Sequence, residues 1–161
     1  MPPAVSLNLA MTAIEQIELP LPGMEQLQRE ALDEGHKFIE RLVEEWSTGE
    51  NRFDAPGEIL CGHIAQGLLV AVGGLNRDPF ATVAGVGRIR RVYVGPAWRN
   101  QGIGEALTRT LVENARKNFW RVRLRTENPG AARLYERIGF SISPGANVTH
   151  IMTFDKARVD A

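Results

Sequence analysis

A chain of 161 residues with 43% hydrophobic content is long enough for one domain with a sizeable core. Formal charge is zero and the longest apolar run, Gly67 to Leu75, is far below membrane length, so neither a nucleic-acid partner nor a membrane-spanning helix is expected. The single cysteine, Cys61, excludes an internal disulfide and a metal cluster built on thiolates, and no metal is expected.

Residues 4–18 are ambiguous and leave room for a first strand. Met24, Leu27, Ala31, Phe38, Leu42 and Trp46 recur near helical spacing, so residues 23–47 read as helical, with a break at Gly35. Ile59–Ala65 and Leu68–Leu75 read as a hairpin turning at Gln66-Gly67. Cys61 lies in the first of these strands and reads as a buried structural thiol rather than a nucleophile. Gly87–Val94 is the next strand. Ile103, Leu107, Leu111 and Ala115 then form the apolar stripe of a helix. In strand 121–126, Arg121, Arg123 and Arg125 alternate with Val122, Leu124 and Thr126, so the arginines read as a solvated strand face. A helix over 129–138 and strands near 140–143 and 148–154 complete the chain. No repeat, linker or low-complexity tract interrupts it, which predicts a single domain over residues 1–161. The first basic residue is Arg29, so the charged start of a secretory signal is missing; with one cysteine, this points to the cytoplasm.

The most informative segment lies between the Gly87–Val94 strand and the following helix: Trp98-Arg99-Asn100-Gln101-Gly102-Ile103-Gly104-Glu105. The first N–H groups of a helix have no internal partner, and the helix dipole adds partial positive charge there. Glycines at 102 and 104 let a ligand approach the backbone, so the turn suits a phosphorylated cofactor. A dinucleotide fingerprint is excluded because position 107 is Leu, and a P-loop because Gly104 is followed by Glu105 and Ala106. Charge supports the assignment. Residues 24–60 hold ten acids and four bases, whereas residues 88–125 hold ten bases and two acids, which would attract phosphates to the second half. From this turn alone, a plain glycine-rich connection remains an alternative.

A second segment, Asn128-Pro129-Gly130-Ala131-Ala132-Arg133-Leu134-Tyr135-Glu136-Arg137-Ile138-Gly139-Phe140, is a short helix with complete punctuation. Asn128 suits the N-cap, Pro129 the first helical position and Gly139 the C′ position. Asn128 and Tyr135 share one face about 10 Å apart along the axis. By itself Tyr135 reads first as a half-buried aromatic with a satisfied hydroxyl.

Taken together, the R-x-x-G-x-G turn after Val92-Tyr93-Val94 and the N-x-x-A-x-x-L-Y-x-x-x-G-F helix resemble the GNAT N-acetyltransferase superfamily, most strongly over residues 87–140. The resemblance implies an α/β fold: one mixed, mostly antiparallel sheet of six to seven strands with about four helices, and a parallel pair splayed at the cofactor site. It implies acetyl-CoA as co-substrate, held by Val92, Tyr93, Val94, Arg99, Asn100, Gln101, Gly102, Ile103, Gly104 and Asn128. It places Tyr135 as the acid that protonates the departing thiolate, and a strand N–H of Val92–Val94 at the oxyanion. The acceptor is expected to be a primary amine on a small molecule; a homodimer is also compatible with the family. Alternatives are a protein N-terminal or lysine acetyltransferase, or a non-catalytic acyl-CoA-binding module, against which Tyr135 argues.

One position departs from the pattern. Where many relatives carry a glutamate as general base, this chain has Arg88, and a guanidinium is no base at neutral pH. His63, Glu58 and Asp78 are the alternative bases; otherwise the amine must arrive neutral. Arg88 and His63 are therefore the candidate acceptor-binding residues. A guanidinium at 88 would favour an acceptor bearing a carboxylate; alternatively Arg88 faces solvent or pairs with an acid of the N-terminal half.

Overall fold

The computed structural model describes residues 13–155. Most of the ambiguous 4–18 segment thus lies outside the described residues, and the strand it leaves room for, β1, is seen only as Glu15–Gln16. Helices α1 (Met24–Asp33) and α2 (Phe38–Thr48) follow, then β2 (Ile59–Ala65), β3 (Leu68–Arg77) and β4 (Val86–Val94). A 3-10 turn at Pro96–Trp98 leads to α3 (Ile103–Asn118), followed by β5 (Arg121–Leu124), α4 (Pro129–Ile138), β6 (Ser141–Gly145) and β7 (Val148–Thr153). Among the described residues the strands form one seven-stranded sheet in the order β1-β2-β3-β4-β5-β7-β6. Only β4 and β5 pair in parallel; every other neighbouring pair is antiparallel.

Local chemistry explains the breaks. Gly35 takes φ +85° after α1, its N–H bonds Leu32 C=O, and His36 N–H reaches back to Ala31 C=O at 2.8 Å. This is a Schellman termination, so one helical stretch becomes two helices. At the β2–β3 hairpin both Gln66 and Gly67 have positive φ, the backbone a two-residue primed turn requires.

Strand β3 sits mid-sheet with both faces covered. Ala71 and Leu75 join Leu107, Leu111 and Ala115 of α3 on one face, whereas Leu69 and Val72 join Leu27, Ile39 and Leu42 of α1 and α2 on the other. Its eight consecutive buried residues follow from that double coverage. Cys61 lies in the α3-side core, where burial pushes its thiol up to about 11. The thiol is therefore protonated and inert at neutral pH.

Candidate functional site

The parallel pairing of β4 and β5 is brief. Val86, Gly87 and Arg88 pair with Arg121, Val122 and Arg123, and no register continues beyond them. β5 ends at Leu124, two residues short of the span the alternation predicts, because its partner has diverged. β4 in turn carries a bulge: Val72 pairs with Tyr93 but Gly74 with Arg90, and Arg91 adopts φ +62°. A wedge thus opens between Ile89–Val94 and the segment after Leu124, leaving one backbone edge of β4 without a strand neighbour.

Helix α3 begins at the mouth of this wedge. Gly102 is its N-cap at φ +83°, with no side-chain cap, and the first hydrogen bond into the helix runs from Ala106 N–H to Gly102 C=O at 3.0 Å. The N–H groups of Ile103, Gly104 and Glu105 are left for a ligand or water. The two glycines differ in what they do. Gly102 needs its left-handed backbone, whereas Gly104 is ordinary helix, where an added Cβ would meet only Val94 Cγ2 at 3.7 Å and Leu134 Cδ2 at 3.9 Å. Nothing inside the protein excludes a methyl group at 104, so internal packing does not account for the glycine there. Asn100 and Gln101 are exposed beside it.

Two of the residues expected at the cofactor are engaged elsewhere. Arg99 forms a two-pronged pair with Glu34, Nη1 to Oε2 at 2.8 Å and Nη2 to Oε1 at 2.6 Å, and its Nε donates to Val94 C=O. The Tyr93 hydroxyl donates to the same Glu34 Oε1 at 2.6 Å, and its ring packs in the α1–α2 core. The Arg99 and Tyr93 hydrogen bonds hold the Glu34 carboxyl down at about 2, while burial and Glu34 push the Tyr93 phenol up. Only the Tyr93 main chain is therefore available at the wedge.

Tyr135 is carried by α4. Asn128 caps that helix through Oδ1, which accepts Ala131 N–H at 2.9 Å, leaving the Nδ2 donor of the amide uncommitted by the cap. Glu105 of α3 accepts Arg137 Nη2 at 3.3 Å and so links the two helices. Tyr135 is 7% exposed and packs edge-on against Phe140 and His150, with centroids 5.8 and 6.4 Å away. No hydrogen bond to its hydroxyl occurs among the described residues, and desolvation pushes the phenol up to about 12. Below it, His150 joins Glu136 Oε2 at 2.9 Å to Thr149 Oγ1 at 2.8 Å. This support escaped the sequence reading, because nothing local marks a histidine 14 residues beyond Glu136 as its partner.

The candidate bases and acceptor-binding residues are not gathered at one point. His63 pairs in register with Ala71, which places it on the α3 face, and its Nδ1 lies 2.8 Å from Ala13 O. Arg88 is on the opposite face, where β4 and β5 part. Glu58 accepts the N–H groups of Ala55 and Arg77. Asp78, with a fully buried side chain, accepts Arg123 Nε at 2.6 Å and Phe80 N–H at 2.9 Å, and Arg88 Nη1 lies 3.8 Å from it. Asp78 is thus the pin at the root of the wedge. Arg88 does not face solvent; it pairs with an acid of the N-terminal half, Asp78, which sits on the β3–β4 connection rather than in the acid-rich stretch of residues 24–60. Arg123 is likewise more than the solvated strand face its alternation suggests, because β5 runs beside that buried acid.

Among the described residues no helix is long and apolar enough to cross a membrane. The model of the acetyltransferase (GNAT) family matches residues 21–140. The N-alpha-acetyltransferase RimI of Mycobacterium tuberculosis is 31% identical over 90 residues, 53% of this chain and 54% of that protein. The chain therefore spans about half the length of this curated relative. A solved structure from Exiguobacterium sp. 255-15, regarded as an acetyltransferase, superposes with a TM-score of 0.79 at 26% identity, covering 88% of this chain and 92% of that one. The PaiA N-acetyltransferase of Thermoplasma acidophilum, solved with coenzyme A, shares the fold with a TM-score of 0.61 at 19% identity, over 88% and 98% of the two chains. An uncapped helix N-terminus at the mouth of a split between parallel strands, matched by a family model over most of the chain, leads to one assignment: this protein belongs to the GNAT acetyltransferase family, whose reaction is acetyl-CoA-dependent acyl transfer.

Proposed function

We propose that this chain, acting as a single domain, transfers an acetyl group from acetyl-CoA to a primary amine of a small-molecule acceptor by direct attack, with Tyr135 as the proton donor to the departing sulfur. The observation that supports the reading is an α3 N-terminus with no side-chain cap, in a chain whose Tyr135 hydroxyl makes no hydrogen bond among the described residues. N–H groups from Ile103 to Glu105 would hold the phosphates, with the Gly104 cradle giving them room and Asn128 contacting the arm. The open backbone edge of Val92–Val94 supplies the donor that an oxyanion needs. Asn100 and Gln101 line the exposed side of the turn. Bound there, acetyl-CoA supplies an activated thioester.

Tyr135 suits the donor role because burial keeps the phenol neutral throughout the working range. A phenol at about 12 is a weaker acid than a thiol at about 8.5. Its contribution is therefore a hydrogen bond to sulfur as negative charge develops; full transfer is uphill by these values, and the proton that the acceptor nitrogen loses as the amide forms is the one that finally neutralises the thiolate or restores the phenol. A second reading, acetylation of a protein α-amino group, is favoured by the similarity to RimI. An amine panel that includes short peptides, with acetyl-CoA and detection of free thiol, decides between them: turnover on free amines alone supports the small-molecule reading, and turnover on peptides alone replaces it.

The phosphate cradle has its own test. Gly104→Val adds volume where the protein itself leaves space, so the fold should persist while acetyl-CoA binding weakens by at least about tenfold, the equivalent of one lost hydrogen bond. Unchanged affinity by calorimetry would move the cofactor away from α3. Gly102 is the poorer test, because any side chain there is strained whatever the ligand.

A further inference from the structure

Guanidinium groups crowd the α1–α2 face of the sheet at the root of the wedge. Arg88, Arg90 and Arg91 come from β4, and Arg123 comes from β5 with Arg125 just beyond its end. Arg88 and Arg123 share Asp78, Arg91 Nη2 meets Glu45 Oε1 at 3.2 Å, and Arg125 meets the exposed Glu127 at 2.7 Å. Five cations thus face three carboxylates. The excess is localised. The guanidinium of Arg90, a residue opposite Gly74 in the ladder, makes no hydrogen bond or ion pair among the described residues. Arg88 Nη1 is completely buried without a hydrogen-bond partner, 3.8 Å from Asp78, and its guanidinium otherwise stacks over Phe80 at 4.9 Å. The Arg88 side chain is 9% exposed, so an unpaired donor there is costly unless something else satisfies it.

Burial and mutual repulsion push both Arg88 and Arg90 down, the desolvation being the larger cause and the neighbouring arginines adding to it. Two strands have therefore been built with uncompensated positive charge facing the space beside the wedge. Arg90 is only half-buried and the Arg123 side chain is 21% exposed, so the cluster is approachable from outside at these two guanidinium groups, whereas Arg88 Nη1 is sealed behind the surface. A polycationic acceptor would be repelled there, and an uncharged amine would leave the donors unpaired.

We infer that this face is an anion subsite that selects the acceptor, an amine bearing two negative charges as a phosphate monoester or a pair of carboxylates, with Arg90 as its principal ligand and Arg88 Nη1 as the buried donor beneath it. Planar guanidinium groups match the oxygen spacing of both anions bidentately, which a lysine would not. The inference rests on the transfer reaction proposed above and deepens it by naming the substrate class.

The wild-type protein is assayed with acetyl-CoA and four amines: O-phosphoethanolamine, ethanolamine, L-glutamate and L-glutamine. Thiol release should show kcat/KM at least about tenfold higher for each dianionic amine than for its neutral or less charged counterpart. Comparing the two dianions separates a phosphate subsite from a dicarboxylate one. Arg90→Gln should raise KM for the favoured dianion about tenfold to hundredfold, leaving the KM for acetyl-CoA and the constants for ethanolamine unchanged. Arg90→Lys should recover only part of the loss. Equal constants for charged and uncharged amines, or equal effects of Arg90→Gln on both, overturn the subsite. Calorimetric titration of O-phosphoethanolamine and L-glutamate in the presence of coenzyme A provides a readout without turnover. Binding that Arg90→Gln abolishes, with no thiol released from any amine, upholds the subsite and refutes the transfer reading; no binding to the wild type overturns the subsite itself.

Discussion

Tyr135→Phe is expected to bind acetyl-CoA like the wild type and to turn over about 10²–10⁴-fold more slowly, the usual contribution of a positioned proton donor. The substitution keeps the ring against Phe140 and His150 and removes a hydroxyl that bonds nothing among the described residues, so little stability should be lost with it. The pH profile adds a second criterion. Folded Tyr135 holds its proton to about 12, against 10.0 for a free phenol. Any stability from keeping it neutral is complete below about pH 10 and is lost as pH rises from there through about 12. Between pH 7 and 9 turnover should therefore show no falling limb from this group. Equal kcat for wild type and Tyr135→Phe at pH 7 would leave water as the donor to sulfur.

Asp78→Asn should be the most damaging single change near the wedge. The carboxylate is wholly buried, and its removal strands Arg88, itself almost buried, next to a partly exposed Arg123. Breaking a buried pair on one side costs about 3–5 kcal/mol; because Arg123 retains some contact with water, about 2–4 kcal/mol is expected here. Asparagine preserves the acceptor for Phe80 N–H, so the loss reports charge rather than the turn. Urea unfolding measures it, and adding Arg123→Gln should restore part of the loss. A midpoint within experimental error of the wild type would show that the two arginines do not depend on Asp78.

Features encoded by neighbours in the chain were readable in advance. Asn128, Pro129 and Gly139 bound α4 as their capping chemistry dictates, the Gln66-Gly67 hairpin turns as its residues require, and Gly35 ends α1. The apolar stripe of Ile103, Leu107, Leu111 and Ala115 is buried as its spacing implies. Features made by distant partners were not. The alternation over 121–126 overstates β5, because strand length depends on where β4 turns away, and the bulge at Arg91 has no signature among its neighbours. Arg99 matches the phosphate-turn motif, yet its partner is Glu34, 65 residues earlier. Asp78 resembled a candidate base until its two arginines were seen around it. Composition likewise exposes an excess of arginine over residues 88–125 without saying which of them lacks a counter-ion.

The tie between Glu34 and Arg99 couples the end of α1 to the opening of the phosphate turn. Whatever draws Arg99 away by its negative charge must compete with Glu34, whose carboxyl then climbs from about 2 back toward its ordinary 4.5. The Tyr93 hydroxyl, bonded to the same oxygen, would be left as that carboxylate's remaining side-chain donor. Occupancy of the turn and the packing of the α1–α2 junction are thereby thermodynamically linked, and linkage is reciprocal: loosening that junction would change affinity at the turn by the same factor that filling the turn changes the junction.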